Sequence, residues 1–180
     1  MKTMKIAASI AALGTLGAAF AQNNNALSSD VTLRAGIVLP LNSAMRDASN
    51  LWGGVGLDYR FPSQAFHFGR NSETYLSADW FFRSTSGSHG NVFPVAINQR
   101  FYTGVPGTNL SSYGRTYVSV GLGAAFIDVG GGSQAEFMGR GAFGIEFGPH
   151  VVAEAVLTLS GQTRRDASAN ALGIYLGYRF

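Results

Sequence analysis

The feature that most constrains this chain is a two-residue alternation of apolar and polar side chains that recurs in eight stretches. Successive side chains of a β-strand point to opposite faces, so alternation of this kind separates two surfaces. The stretches lie near residues 31–39, 51–61, 73–83, 92–102, 115–126, 136–148, 151–160 and 170–180, with turn residues between them. Each is close to the roughly 9–11 residues that a tilted transmembrane strand needs. One face takes Val31, Leu33, Ala35, Ile37 and Leu39 from the first stretch and Val118, Val120, Leu122, Ala124 and Phe126 from the fifth. Read through all eight stretches, that face carries no charged residue.

The charges lie on the other face: Arg34, Asp58, Arg60, Asp79, Arg83, Arg100, Arg115, Glu136, Arg140, Glu146, Glu154 and Arg179. Tyr75, Tyr102, Tyr117, Tyr175 and many glycines share it. A water-soluble barrel points its charges outward; an unbroken apolar face backed by a charged one is the inverse arrangement, with lipid outside. The pattern therefore predicts an all-β fold, an eight-stranded antiparallel up-and-down transmembrane β-barrel. Eight strands leave an interior just wide enough for side chains. Buried arginines are costly unless paired with carboxylates, so the twelve residues are expected to form a salt-bridge network that plugs the lumen.

Composition agrees. Only 13% of residues are charged, against about 25% in a typical soluble domain. The absence of cysteine excludes disulfide scaffolds, thiol chemistry and zinc ribbons. Lys2 and Lys5 precede an apolar run from Ile6 to Ala18, and Ala19-Phe20-Ala21 reads as an A-x-A cleavage site. Residues 1–21 are thus expected to be a secretory signal peptide, removed to leave a barrel over 22–180. That mature chain has eleven arginines against ten acids, a balance that gives no basic patch for nucleic acid. Outward aromatics fall in two groups. Tyr59, Phe61, Phe101, Phe147, Tyr178 and Phe180 lie toward one end, and Trp80, Phe82, Phe93, Phe126 and Phe137 toward the other, with Phe143 between. Two aromatic girdles around an aliphatic band mark the interfaces of a bilayer. With the N-terminus on the periplasmic side, the first group is periplasmic.

The final strand, Leu172 to Phe180, ends on an aromatic with apolar residues at alternate positions before it. In this the mature chain resembles the small eight-stranded outer-membrane barrels of the OmpA/OmpX and opacity-protein type. The resemblance implies a monomer in the outer membrane of a Gram-negative-type bacterium, reached after secretion across the inner membrane. It also implies that Leu176, Tyr178 and Phe180 form the signal read by the barrel-assembly machinery. Family barrels have short periplasmic turns, whereas 62–72 and 103–114 are long here; only Gly148-Pro149-His150 is tight.

Other candidates carry less. Gly139-Arg-Gly-Ala-Phe-Gly144 matches a dinucleotide fingerprint, but it lies inside a strand and opens no helix, so barrel curvature explains it better. His67, His89 and His150 are read as turn residues, and no catalytic, cofactor or metal site is expected. Arg46, Arg164 and Arg165 in the outer loops 40–50 and 161–169 are candidate contacts for lipopolysaccharide phosphates. The function expected is structural or surface-interacting, in adhesion or envelope integrity. A narrow conduit for small solutes or amphiphiles is the alternative, and a lipid-modifying enzyme is the third reading.

Overall fold

The computed structural model describes residues 30–61, 71–85, 88–103, 114–129, 133–164 and 166–180. The expected signal peptide and its cleavage site lie outside these residues, as do His67 and Arg165. Eight strands form a closed barrel in sequence order, every neighbour antiparallel. They are β1 (Val31–Pro40), β2 (Trp52–Arg60), β3 (Ser72–Thr85), β4 (Ser88–Thr103), β5 (Arg115–Val129), β6 (Ser133–Phe147), β7 (Val151–Ser160) and β8 (Ala171–Arg179). β1 closes on β8, with Thr32 opposite Arg179 and Pro40 opposite Ala171. Closure removes both sheet edges, the condition for a β-structure to stand in hydrocarbon.

The two faces sort as the alternation requires. Ile37, Ile97, Val120, Leu122, Phe143, Leu159, Ile174 and Leu176 are exposed on the outside, while Arg34, Asp58, Asp79, Arg100, Arg140, Glu146 and Glu154 are buried inside. Two pairs of polar side chains on the outer face are cross-strand partners. Thr74 lies opposite Gln99 and its hydroxyl donates to Gln99 Oε1 at 2.6 Å. Thr103 likewise lies opposite Thr116, and their hydroxyls are hydrogen-bonded. At the loop end, Trp80 stacks on Phe93 with ring centroids 5.8 Å apart. At the opposite, terminal end, where β1 starts and β8 stops, Tyr178 packs edge-on against Phe180.

Three expectations need correction. First, the β3–β4 and β5–β6 hairpins run further than the alternation suggested. Ser84 pairs with His89 and Asp128 with Ser133, so His89 lies on a strand and not in a turn. These extensions stand beyond the apolar belt, where no lipid imposes alternation. Second, where the sequence placed only an outer loop, 40–50, the chain after β1 holds a short helix, α1 (Ser43–Ala48). Asn42 caps it by accepting from the Met45 amide, and the Met45 side chain turns into the barrel, 1% exposed. Third, the loop-end half of the interior is apolar, not charged. Val38, Met45, Trp52, Phe81, Val92, Ala125, Ile127, Met138, Val156, Ala167, Ala169 and Ala171 form one buried cluster there. The long connections at the terminal end are real, since β2 stops at Arg60 and β3 starts at Ser72, and β4 stops at Thr103 and β5 starts at Arg115. Their bodies, 62–70 and 104–113, lie outside the described residues.

Candidate functional site

Below the apolar cluster the lumen is ionic, and β-sheet register decides which groups meet. Arg34 on β1 is the centre. Its Nη1 lies 2.5 Å from Glu154 Oε2 on β7, and its Nη2 lies 2.8 Å from Oδ1 of both Asp58 and Asp79. Only the Asp79 contact has hydrogen-bond geometry; Asp58 is an ion pair off the N–H axis. Gly56 makes the room, because a Cβ there would stand 2.1 Å from Asp79 Oδ1. Arg140 on β6 completes this tier at 3.5 Å from Glu154 and 3.7 Å from Asp79, donating to the Tyr75 hydroxyl at 3.0 Å. The Tyr117 hydroxyl donates to Glu154 Oε1 at 3.1 Å.

A second tier lies at the terminal end. Glu146 accepts from Arg179 at 2.6 Å and Arg115 at 2.7 Å, and from the Tyr102 hydroxyl at 2.9 Å. Arg60 pairs with Asp30 at 2.7 Å and Glu73 at 3.2 Å. Arg100 joins the tiers. Its guanidinium is 3.7 Å from Asp58 in one and 3.8 and 3.6 Å from Glu73 and Glu146 in the other. It sits between the Tyr75 and Tyr117 rings, 4.5 and 4.2 Å from their centroids. Facing aromatic rings add a cation–π attraction that is strongest where water is excluded.

Ten of the twelve expected residues belong to these tiers. Arg83 and Glu136 do not: Arg83 lies opposite Gly90 near the far end of β3, and Glu136 is half-buried beside Gly161. Both have inward parity but stand above the apolar cluster. Two members were missed, Asp30 and Glu73. Each shares the inward parity of its strand (30, 32, 34 and 73, 75, 77, 79): Glu73 lies within the 73–83 stretch itself, and Asp30 stands one step before the 31–39 stretch. Among the described residues these ion pairs join six arginines, Arg34, Arg60, Arg100, Arg115, Arg140 and Arg179, to six acids, Asp30, Asp58, Glu73, Asp79, Glu146 and Glu154. Among these twelve residues positive and negative charges balance. Charge balance matters because an uncompensated ion in such an interior costs several kcal/mol.

Arg46 and Arg164 are exposed at the loop end. Their loops are clipped together: Asn42 Nδ2 donates to the Asp166 carbonyl at 2.9 Å, and the Leu41 amide donates to the Asn170 carbonyl at 2.8 Å. His150 lies in the tight turn as expected. Its ring is stacked on Tyr178 at 5.3 Å, and its Nδ1–H donates to the Arg179 carbonyl at 2.8 Å. Among the described residues no group of three or more His, Cys, Asp or Glu has the arrangement of a metal site.

No protein-family model matches the chain, and no curated protein matches it. Solved structures do. Neisserial surface protein A superposes with a TM-score of 0.57 at 12% identity, over 83% of this chain and 94% of that one. The outer membrane enzyme PagL gives 0.55 at 14% identity, over 83% and 97%. The outer membrane protein Ail of Yersinia pestis gives 0.51 at 15% identity, over 83% and 98%. The chain thus has the fold of the small eight-stranded outer-membrane barrels.

Proposed function

We propose that this protein is an integral outer-membrane barrel with a closed lumen, acting as a structural element that presents its loop end at the cell surface. One observation carries the reading: the lumen holds two ionic tiers below a buried apolar cluster, so side chains fill it along its length. The likeness to a Neisserial surface protein and to an outer membrane protein of Yersinia pestis supports a role at the envelope. At the loop end, Arg46 and Arg164 are exposed on two loops held together by hydrogen bonds, and neighbouring Arg165 adds a third guanidinium in sequence. These groups are suited to lipopolysaccharide phosphates through charge-assisted hydrogen bonds.

The decisive measurement is planar-bilayer conductance of the refolded protein. A packed lumen gives no sustained open level; a stable open level would transfer the assignment to a solute conduit. The likeness to an outer membrane enzyme supports lipid modification as a second reading. Incubating the same preparation with lipid A and phospholipid checks it, since any released or transferred acyl chain would establish an enzymatic role.

A further inference from the structure

The β3–β4 ladder keeps one register from Ser72 opposite Phe101 to Thr85 opposite Ser88, yet it is interrupted in the middle. Pairing holds at Ala78–Val95 and again at Phe81–Val92, but not at Asp79–Pro94 or Trp80–Phe93. The cause is chemical. Pro94 has no N–H, so the bond that this register would direct to the Asp79 carbonyl cannot form. On its other side Pro94 remains paired with Ala125 of β5. In a barrel wall surrounded by lipid, a missing ladder bond is costlier than in water, because no solvent replaces it.

The interruption has a distinct position. Inside the barrel, Asp79 belongs to the Arg34 and Arg140 tier, whereas Phe81 and Val92, one step further along, belong to the apolar cluster. The gap therefore lies where the interior changes from charged to apolar. Outside, Trp80 and Phe93 lie over it as parallel rings, 7° apart in plane, and Trp80 Nε1 donates to Asn91 Oδ1 at 3.0 Å. Side chains cover a seam that the backbone leaves weak.

We propose that this seam, Asp79 and Trp80 against Phe93 and Pro94, is the built-in point at which the barrel wall opens laterally, with the Trp80–Phe93 stack as its outer cover. A local opening over Asp79 and Trp80 breaks one backbone bond fewer than an opening of the same length elsewhere in this ladder, and on its loop-end side it brings apolar interior against apolar lipid. Amide hydrogen exchange of the folded protein in lipid nanodiscs tests this. The Asp79 and Phe81 amides should exchange roughly tenfold faster than those of Ala155 and Leu157, the weight of one hydrogen bond. Pro94→Ala, which restores the donor, should slow Asp79 and Phe81 by a similar factor and leave Ala155 and Leu157 unchanged. Wild-type seam amides as slow as those two controls would overturn the proposal. So would a Pro94→Ala protein whose seam exchanges as fast as wild type.

Discussion

Arg34 Nη1 and Glu154 Oε2 lie 2.5 Å apart, both fully enclosed, and join β1 to β7 across the lumen. The two strands are not neighbours in the wall, since β8 stands between them. The contact is therefore made by closure of the barrel. It is also the point where three strands share charge, because Arg140 of β6 reaches the same Glu154 oxygen.

Glu154→Ala should be the most damaging single acid removal. It leaves Arg34 and Arg140 each short of a carboxylate in a low-dielectric interior, a loss of about 3–5 kcal/mol. The urea midpoint of the folded barrel in detergent should fall clearly, while Arg46→Ala, in the exposed helix of the first loop, should leave it unchanged. Equal midpoints for Glu154→Ala and wild type would mean that the lumen is wet.

Arg100 and Arg115 offer a comparison within one residue type. Arg100 is enclosed between two tyrosine rings, whereas the Arg115 side chain is 57% exposed. Arg100→Ala strands parts of both tiers and should cost about 3–5 kcal/mol. Arg115→Ala should cost about 1 kcal/mol or less, as for surface ion pairs. Similar losses at the two positions would contradict the burial described for Arg100.

The outward face is tested at Leu122, which is 62% exposed at mid-strand. Leu122→Arg places a guanidinium against lipid near the midplane and should cost about 2–4 kcal/mol. Gln162→Arg, in an exposed loop, should be neutral. Equal tolerance at both sites in a folding titration with lipid vesicles would show that the faces are reversed.

Trp52 and Trp80 report on the two sides of one wall. Trp52 is 2% exposed inside and Trp80 is 42% exposed outside. Brominated acyl chains should quench Trp80 strongly and Trp52 weakly, so Trp80→Phe should lose most of the quenching and Trp52→Phe little of it.

Gly141 and Gly144 belong to one sequence motif but face opposite ways. A Cβ on Gly141 meets nothing within 4 Å, whereas one on Gly144 would stand 2.2 Å from the Tyr117 ring. Gly144→Ala should therefore destabilise by about 1–3 kcal/mol through overpacking. Gly141→Ala should be neutral or slightly stabilising in the same urea titration.

The alternation in the sequence determined the strand number, the fold class, the lipid face and which residues turn inward, because parity along a strand is a local property. Two aromatic girdles were legible for the same reason. Which inward residues meet was not legible. Arg34 and Glu154 are 120 positions apart, and parity says nothing of height along the barrel axis. Height follows from register, which separated Arg83 and Glu136 from the network and drew in Asp30 and Glu73. Neither could alternation show that α1 lowers Met45 into an apolar cluster, since a loop has no fixed period. Only closure of the barrel, which sets every strand against two others at a definite stagger, decided the pairs that fill the lumen.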